Sequence, residues 1–464
     1  MNDPFDSSSV NSIISYAKKL KGYTLREKCG KEVENHGYKG KGNFGQLIEK
    51  FYFGYEPNSK AEADFVEVGM ELKSTPLKTL KNGDYRSKER LVLNIINYLE
   101  VHKENFEESS FWKKNAHLLL IFYLHDKEKD KLDYLIKLVD DWEYPNQDLL
   151  IIKRDWEIIN QKIKDGKAHE LSEGDTFYLG ACTKGTTAEK SLRNQPFNEV
   201  KAKQRAYSLK QGYVNHIIAN IAQEEHTVYG KILNQKAIFE HLPSIEEIVI
   251  SKFEPFYGKT PIEIEEHFNL ELNRTAKSYF ANLTKAILGI SLNKKIEEFE
   301  KADIQVKTVR LKKNDLPDQH ISFPIFKYKE IINSNWESSD FKNILEQKFF
   351  FVFYQFINKK LILKKVKFWN MSNDDIEETR VVWDKTVETI EKGQIVKEIK
   401  NGRRFTYFPN STDHRISHVR PHATDIYKNV NSLPKKDNLT KVDVYTNHSF
   451  WFNSKYVKDE IYLK

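Results

Sequence analysis

Three residues in the first part of the chain have the types and the spacing needed for metal-assisted hydrolysis of a phosphodiester. Asp64 is followed by Glu71, and Lys73 comes two residues after Glu71. Two carboxylates on one small site are hard oxygen ligands suited to Mg²⁺, which would polarise a phosphodiester oxygen and lower the pKa of a bound water. Lys73 would orient that water or stabilise the charge that develops on the phosphorane.

The residues around this motif follow the period of a β-strand. Apolar residues from Val68 to Leu72 alternate with small or charged ones. Glu71 and Lys73 would then project from the same face, about 7 Å apart at the rise of a strand. Asp64 reaches them if the segment between bends as a hairpin. We therefore predict a strand over 64–75 that presents the motif on one face.

A third acid, Glu49, lies in an apolar stretch for which we predict a helix over 43–54. A carboxylate among apolar residues is costly to bury unless it meets a cation, and a metal at the strand motif would supply one. The alternative for Glu49 is an ordinary surface carboxylate beside Lys50. The motif alone is not specific, because Glu and Lys are abundant here and such charges are commonly just solvated.

The chain also resembles itself, in four places that follow the same order. The paired segments are 70–77 with 304–311, 108–123 with 337–354, 156–166 with 383–393, and 207–214 with 450–457. Similar order and intervals indicate two tandem copies of one α/β domain. We predict domains at 1–225 and 246–464 with a linker at 226–245, and in the first copy a strand over 117–124 and a helix over 148–165.

The two copies differ at the positions that carry the chemistry. Asp64, Glu71 and Glu49 of the first copy are matched by Glu298, Gln305 and Thr284 of the second. The flanking apolar residues persist, which indicates that the fold was kept. A neutral amide cannot supply the charge that a divalent ion requires. We therefore predict one active site per chain, in the first copy.

Composition sets the outer limits of the prediction. A chain of 464 residues with 39% hydrophobic residues is long enough for two or three packed domains and is not largely disordered. Two cysteines, Cys29 and Cys182, support neither a disulfide framework nor a cysteine zinc site. The N-terminus has no pattern of a secretion signal, and the longest apolar runs fall far short of the roughly 20 residues that cross a bilayer. We expect a cytoplasmic protein without a membrane segment.

The segments Lys41–Glu49 and Gly69–Leu77, together with Asp64, resemble the MutH family of mismatch-repair endonucleases. The tandem arrangement resembles the GATC-cutting type II restriction endonucleases, which are built from a catalytic MutH-like half and a degenerate one. The resemblance implies an α/β fold with two restriction-endonuclease-like domains, each with a mixed central sheet flanked by helices. It implies a first domain that cuts and a second that binds DNA as an effector.

The resemblance also assigns roles to single residues. It implies that Asp64, Glu71 and Lys73 are catalytic, that Glu49 is an accessory acid, and that the three acids hold Mg²⁺. Lys184 falls where the family places a base-contacting lysine, and the segment from Arg205 to Lys210 matches its C-terminal Arg…Leu-Lys pattern. The full set of predicted DNA contacts is Lys41, Lys113, Lys184, Arg205, Lys210, Arg420 and His422.

One departure from the family lies in the first copy. Cys182 stands where MutH-type sequences have an arginine, so we expect the first copy to contact DNA differently. The second copy keeps the Arg-Pro pair at Arg420, and arginine can hold O6 and N7 of guanine with two bonds. We therefore expect the second copy to bind GATC without cutting it.

The predicted function is Mg²⁺-dependent cleavage of double-stranded DNA at GATC by a type II restriction endonuclease. One active site per chain predicts a DNA-induced dimer, and restriction predicts a cognate DNA methyltransferase as a genetic partner. Three alternatives remain open at this point. They are a mismatch-repair nicking enzyme that depends on a partner protein, a non-catalytic sequence-specific DNA-binding regulator, and an RNA-directed nuclease with the same metal chemistry.

Overall fold

The computed structural model describes residues 4–35, 43–56, 62–185, 191–223, 228–233, 243–422 and 429–464. The chain forms two compact units. The first consists of Met1–Glu240 with Asn293–Asp303, and the second of His241–Leu292 with Ile304–Lys464. The chain thus enters the second unit, returns to the first for a short segment, and then completes the second. The predicted linker at 226–245, part of which lies outside the described residues, stays a prediction.

The helices and strands of the first unit are, in chain order, α1 (Val10–Lys18), α2 (Leu25–Asn35), α3 (Phe44–Phe51), β1 (Met70–Thr79), β2 (Tyr85–Ser87), β3 (Leu91–Ile95), α4 (Tyr98–Val101), α5 (Ser110–Asn115), β4 (His117–Leu124), β5 (Leu135–Glu143), α6 (Asn146–Lys164), β6 (Leu179–Thr183), β7 (Leu192–Gln195), β8 (Asn198–Lys203), β9 (Arg205–Leu209), α7 (Gln211–Ile221) and β10 (Tyr229–Gly230). The returning segment adds β11 (Lys295–Ile296) and the helix that is α11 in chain order (Glu297–Lys301).

The main sheet of the first unit has the strand order β2-β1-β4-β5. Strands β1 and β4 run parallel, while β2 and β5 are antiparallel to their neighbours. β4 is apolar along most of its length because both of its faces are covered: Leu119 and Ile121 belong to the core cluster that holds residues of α1, α2 and α3. The prediction of a strand over 117–124 is confirmed.

The two segments that carry the predicted site begin and end a little differently from the prediction. α3 spans Phe44–Phe51, and Asn43 caps it by accepting a hydrogen bond from the backbone N–H of Gln46. The strand predicted over 64–75 begins only at Met70, because Val66–Val68 form a 3-10 turn and Gly69 has φ +64°. A left-handed backbone suits glycine, which has no Cβ to clash.

A second, antiparallel sheet of the first unit has the order β3-β9-β6. The helix predicted over 148–165 is α6, at Asn146–Lys164, so that prediction is confirmed to within two residues. The buried carboxylate of Asp155 on α6 accepts hydrogen bonds from the backbone N–H groups of Phe177, Tyr178 and Leu179, at 2.9, 2.6 and 2.9 Å. These bonds fix the start of β6, the strand that leads to Lys184.

The second unit contains α8 (Ile245–Phe253), α9 (Pro261–His267), α10 (Tyr279–Leu288), β12 (Gln305–Leu311), β13 (Ile321–Phe326), α12 (Tyr328–Ile331), α13 (Asp340–Leu345), β14 (Phe349–Ile357), β15 (Lys360–Trp369), α14 (Asn373–Glu391), β16 (Val396–Lys400), β17 (Arg403–Thr406), β18 (Ser417–Pro421), β19 (Val430–Ser432), β20 (Val444–Thr446), β21 (His448–Phe452) and α15 (Ser454–Tyr456), followed by a π-helix at Val457–Tyr462.

The second unit repeats the strand arrangement of the first. β12 runs parallel to β14, and β14 is antiparallel to β15, as β1, β4 and β5 are in the first unit. Its antiparallel sheet has the order β13-β21-β18, which matches β3-β9-β6. The 19-residue helix α14 takes the place of the 19-residue α6. The strands also differ: the first unit has β2 beside β1, for which the described sheet β12-β14-β15 has no equivalent, and the second unit inserts the hairpin β16–β17 between its long helix and β18.

The returning segment, Asn293–Asp303, is attached to the first unit by buried charges. Lys301 Nζ lies 2.9 Å from both carboxylate oxygens of Asp148 on α6 and 2.8 Å from Glu297. The carboxylate of Asp303 accepts a hydrogen bond of 2.8 Å from the backbone N–H of Gly212. The segment that sequence comparison assigned to the second copy therefore completes the first unit. Of the helices described, none is long and apolar enough to cross a membrane.

Candidate active site

A cleft of about 990 Å³ opens beside β1 in the first unit. The N-terminal part of α3, the strands β1 and β3 and the helix α5 contribute to its walls. Its charged lining includes Glu49, Asp64, Glu71, Lys73, Lys114 and Lys184. Four of the residues predicted for catalysis therefore line one cavity, although they come from segments far apart in the chain.

Glu71 and Lys73 lie on the same face of β1, as the alternation of the strand predicts. Lys73 Nζ is 2.6 Å from Glu71 Oε1 and forms an ion pair with it. Glu71 is only 2% exposed, and burial is the largest influence on its pKa, which is raised from the ordinary value. The lysine opposes that rise, because a cation at this distance favours the charged carboxylate.

Asp64 is brought back to β1 by the turn that precedes the strand. Phe65 and Met70 exchange backbone hydrogen bonds across the turn, at 2.9 and 3.3 Å. The backbone N–H of Leu72 donates to Asp64 Oδ2 at 2.9 Å, and the N–H of Asp64 donates to Glu71 Oε2 at 3.1 Å. The hairpin on which the sequence argument depended is confirmed, and it holds the two carboxylates side by side.

Glu49 enters the cleft from α3. Burial, followed by the negative charges of Asp64 and Glu71, raises the pKa of Glu49 to about 7. The close approach of the helix to β1 depends on Gly45, since a Cβ at that position would lie 3.1 Å from the hydroxyl oxygen of Ser74. The three acids therefore influence one another electrostatically, which would not happen if Glu49 were an ordinary surface carboxylate.

Lys114 is a further residue of the site, and the sequence analysis missed it. Its Nζ lies 3.4 Å from Glu71 Oε1 and donates a hydrogen bond of 3.0 Å to the carbonyl oxygen of Glu62. The neighbouring Lys113, which was predicted as a DNA contact, is exposed on α5. Consecutive helix residues point about 100° apart, so only one of two adjacent lysines can face the cleft. The amphipathic pattern of so short a helix does not show which.

Glu49, Asp64 and Glu71 carry the type of ligand atom that a divalent cation prefers, but they do not form a complete coordination site. Among the residues that the structure describes, no three His, Cys, Asp or Glu side chains converge closely enough to hold a metal ion. The carboxylate of Glu71 contacts Lys73 and Lys114 instead. The donors are nevertheless hard oxygens. Burial and, after it, repulsion by Asp64 and Glu71 raise the pKa of Glu49, and a bound divalent cation would relieve that repulsion.

The predicted DNA contacts of the first unit fall into different environments. Lys184 lines the same cleft as the acids, just after β6, and its backbone N–H donates to the carbonyl oxygen of Gln204. Lys113 is exposed on α5. Lys41 lies outside the described residues. For Lys184 and Lys113 the position is compatible with DNA contact, which stays a prediction.

Two other predicted DNA contacts are buried in this structure. Arg205 is 3% exposed and donates a hydrogen bond of 2.6 Å to the carbonyl oxygen of Ala181 on the neighbouring strand. Lys210 is 5% exposed and donates to the carbonyl oxygen of Thr176. Buried cations must be satisfied by acceptors nearby, and here backbone carbonyls serve. Both residues connect strands and loops internally, so the structure gives no support to their predicted contact with DNA.

In the second unit, Arg420 and His422 lie on an exposed part of β18 and just beyond it. The guanidinium of Arg420 is 5.0 Å from the ring centre of Trp451, and the ring of His422 is 5.8 Å from it. By strand register Arg420 holds the place that Cys182, which is buried, holds in β6. The exposed arginine and the buried cysteine thus occupy equivalent positions of the two units.

Comparison with known proteins agrees with this arrangement. Residues 53–155, which include Asp64, β1 and α5, match the family model of the DNA mismatch repair enzyme MutH. The type II restriction enzyme Sau3AI of Staphylococcus aureus is 39% identical over 486 aligned residues, covering 97% of this chain and 98% of the relative. The chain belongs to the Sau3AI family of type II restriction enzymes. The prediction of a DNA-cutting hydrolase with a MutH-like domain is confirmed.

The MutH proteins match a smaller part of the chain than Sau3AI does. The DNA mismatch repair protein MutH of Shewanella amazonensis is 27% identical over 37% of this chain and 76% of its own length. That of Vibrio vulnificus is 25% identical over 46% of this chain and 89% of its own length. Similarity to the Sau3AI family, by contrast, extends through both units, so membership favours restriction over the nicking enzyme and over the non-catalytic regulator.

Proposed function

We propose that this member of the Sau3AI family cuts double-stranded DNA at GATC by Mg²⁺-dependent hydrolysis. The observation that carries the proposal is the group formed by Asp64, Glu71 and Lys73 in one cleft. Leu72 N–H to Asp64 at 2.9 Å and Lys73 to Glu71 at 2.6 Å hold that group together. The whole-length similarity to a type II restriction enzyme supports it.

In this proposal Asp64, Glu71 and Glu49 supply the oxygen ligands for Mg²⁺. When bound, the ion polarises a phosphodiester oxygen and lowers the pKa of a water molecule. Burial of Glu71 strengthens its interactions with charged groups, because little water screens them. Because its pKa is raised to about 7, Glu49 binds a proton more readily than an ordinary carboxylate, and a cation in the cleft would favour its ionised form.

The two lysines of the cleft have a role of their own. Lys73 and Lys114 approach the same oxygen of Glu71, at 2.6 and 3.4 Å. Burial raises the pKa of Glu71, and the two ammonium groups oppose that rise. With a phosphodiester in the cleft, either ammonium group can turn toward a phosphate oxygen and stabilise the negative charge that develops during attack. We assign Lys73 to that step, with Lys114 holding Glu71 in position.

We further propose that the second unit binds GATC-containing DNA without cutting it. Arg420 is exposed there, and Gln305 replaces the acid that the first unit uses. One active site per chain means that cutting both strands requires two chains, so we propose a dimer formed on DNA. A restriction enzyme that acts on DNA in the cytoplasm also requires a cognate methyltransferase to protect the host sequence.

The proposal is tested by incubating purified protein with Mg²⁺ and plasmid that is unmethylated, adenine-methylated or cytosine-methylated, and mapping the ends. We expect double-strand breaks at GATC in at least the unmethylated plasmid. Ends at another sequence would contradict the specificity, nicks without breaks would favour the repair-type enzyme, and cleavage of RNA alone would favour the third alternative. Faster cutting of a one-site plasmid when a GATC oligonucleotide is added in trans would support the dimer.

A further inference from the structure

The hairpin β16–β17 is an addition to the second unit. In the first unit, residues 165–178 connect α6 to β6, and this fully described connection contains no strand. In the second unit the connection from α14 to β18 spans 392–416 and holds the hairpin. Because the first unit forms the two corresponding sheets without such a hairpin, the hairpin is not needed for this sheet arrangement.

The two connections also have opposite charge. Residues 392–416 contain six basic residues and two acidic residues, whereas residues 165–178 contain four acidic residues and one lysine. A charged surface loop can be of either sign without cost to the fold, so the inversion indicates a difference in what each connection meets. The positive hairpin would attract a polyanion, and the acidic connection of the cutting unit would not.

The two strands of the hairpin are joined by a two-residue turn. Asn401 and Gly402 form its turn with φ +50° and +74°, the two positive values that a type I′ turn requires. The turn places Lys400 directly opposite Arg403. Like charges directly opposed on neighbouring strands destabilise a hairpin. An anion that lies across the tip would contact both cations and remove that repulsion.

The cations at the tip are weakly neutralised within the protein. Lys400 Nζ lies 2.8 Å from Glu398, but both side chains are exposed enough for solvent to weaken the pair. Arg403 forms no ion pair with any residue that the structure describes, and its guanidinium lies 5.4 Å from the ring centre of Phe405. Both positions therefore retain positive charge for a ligand.

Aromatic side chains support the cations of the hairpin. Besides the pair at the tip, Lys397 lies 5.8 Å from the ring centre of Tyr407 and Arg404 lies 5.7 Å from that of Tyr445. Phe405 and Tyr407 remain 39% and 54% exposed. Rings that hold long basic side chains in place reduce the entropy lost when those side chains contact a ligand.

We propose that the hairpin β16–β17 is a DNA-binding ribbon that contacts the phosphates of duplex DNA through Lys397, Lys400 and Arg403. A two-stranded antiparallel ribbon has the width to enter the major groove of B-DNA. Phosphate contacts fix the protein on the duplex but read no sequence. The ribbon therefore adds affinity, while recognition of GATC falls to other residues. This inference rests on the proposed DNA binding by the second unit.

The test measures DNA binding by the full-length chain in a chelator, so that no cleavage occurs. The Lys400→Gln/Arg403→Gln variant is compared with the unaltered chain over a range of salt concentrations, on a GATC duplex and on a scrambled duplex. We expect weaker binding to both duplexes by the same factor. The slope of log K against log salt should become shallower by roughly 1.8, since each phosphate contact contributes about 0.9.

Three comparisons keep the result interpretable. Lys359→Gln/Lys360→Gln, which removes the same charge at the β14–β15 hairpin of the same unit, should leave the slope unchanged. Lys400→Arg/Arg403→Lys should retain it, because charge is conserved. No variant should unfold at a lower temperature than the unaltered chain, so that weaker binding cannot be attributed to unfolding. Three results would each overturn the inference. They are an unchanged slope in the Lys400→Gln/Arg403→Gln variant, a loss of binding confined to the GATC duplex, and binding of the unaltered chain to duplex RNA that is tighter than its binding to duplex DNA.

The same measurements test the proposed function separately from the inference about the ribbon. If the unaltered chain cuts GATC plasmid while the hairpin variant keeps the full salt slope, the inference about the ribbon is wrong and the proposed function stands. If the unaltered chain neither cuts plasmid nor binds a duplex, the proposed function itself fails, and the ribbon with it.

Discussion

Strands β1 and β12 occupy the same place in their two sheets and differ in what they hold. Glu71 of β1 lies opposite a residue in the first half of β4. Gln305 of β12 lies opposite the equivalent position of β14. The lysine two residues later is present in both strands. Among the described residues, no carboxylate forms an ion pair with Lys307. Its Nζ lies 5.2 Å from the ring centre of Phe323, and burial lowers the pKa of the lysine. A retained lysine is therefore no sign of retained chemistry.

The remaining counterparts of the acids have become structural. Thr284 is buried, and its hydroxyl has no hydrogen-bond partner among the described residues. Gln305 donates to Gln347 at 2.7 Å. Glu298, which sequence comparison matched with Asp64, lies in the returning segment of the first unit and accepts hydrogen bonds from the N–H groups of Ile232 and Leu233. The comparison shows that the sheet can persist when its charged site is lost.

The largest expected effect comes from giving the first unit the residue of the second. Glu71→Gln should reduce cleavage on the order of 10³-fold or more, because a neutral amide removes a charge on which metal-assisted hydrolysis depends. DNA binding in the presence of a chelator should be retained. Cleavage is measured with a GATC plasmid and binding with a labelled duplex.

The matched control for that variant is Glu67→Gln, which removes a carboxylate from the turn just before β1. Glu67 is exposed and accepts a hydrogen bond from Ser7, away from the cleft. Its cleavage should equal that of the unaltered chain. Full activity of Glu71→Gln would contradict the assignment of the active site and the contrast between the two strands.

A smaller effect is expected at Lys114. The helices α5 and α13 both begin after a capping serine, and Ile344 holds in α13 the position that Lys114 holds in α5. Lys114→Ile should lower the cleavage rate about 10²-fold, since it removes a charged group that holds Glu71. Lys113→Ile, one residue earlier and exposed, is the control. Equal losses in the two variants would mean that α5 acts through DNA binding and not through Glu71.

The smallest effect concerns stability against acid. By strand register, the buried His448 stands in the second unit where the buried Arg205 stands in the first. Burial lowers the pKa of His448 to about 4 from its ordinary 6.5, and its Nε2 has no partner among the described residues. Protonation therefore favours the unfolded chain, so this contribution to stability is present above pH 6.5 and is lost progressively as the pH falls toward 4.

From these values the free energy of unfolding should fall by about 2 kcal/mol at pH 5 relative to pH 8 on account of His448. Urea unfolding at both pH values, with His448→Gln as the comparison, measures the loss. His418 in the second unit and His216 in the first, both with pKa lowered to about 4, add to the total. An undiminished pH dependence in the variant would show that His448 is not the source.

The fold could be predicted well where periodicity was strong. The strand β4 and the helix α6 follow from apolar runs and an amphipathic pattern, and the turn that returns Asp64 to Glu71 follows from their spacing. Local pattern sufficed because the residues that decide each of these elements lie close together in the chain.

The environment of isolated cations could not be predicted in the same way. Arg205 and Lys210 are buried because carbonyl groups distant in sequence, of Ala181 and Thr176, accept their hydrogen bonds. No local pattern contains that information. The hairpin β16–β17 did carry a signal, since Asn401-Gly402 is the dipeptide typical of a type I′ turn. Its meaning becomes visible only when the two units are compared element by element.

The returning segment has a consequence for how the protein is made. The carboxylate of Asp148 is buried against Lys301, and a buried ion pair that loses one partner costs several kcal/mol. A nascent chain that has emerged only as far as α7 therefore carries an unneutralised acid in its interior. The interior of the first unit is completed only after the ribosome has added the first helices of the other unit and the segment Asn293–Asp303. A protein truncated near residue 240 would lack the returning segment, so its first unit would be incomplete even though the cleft residues are all present.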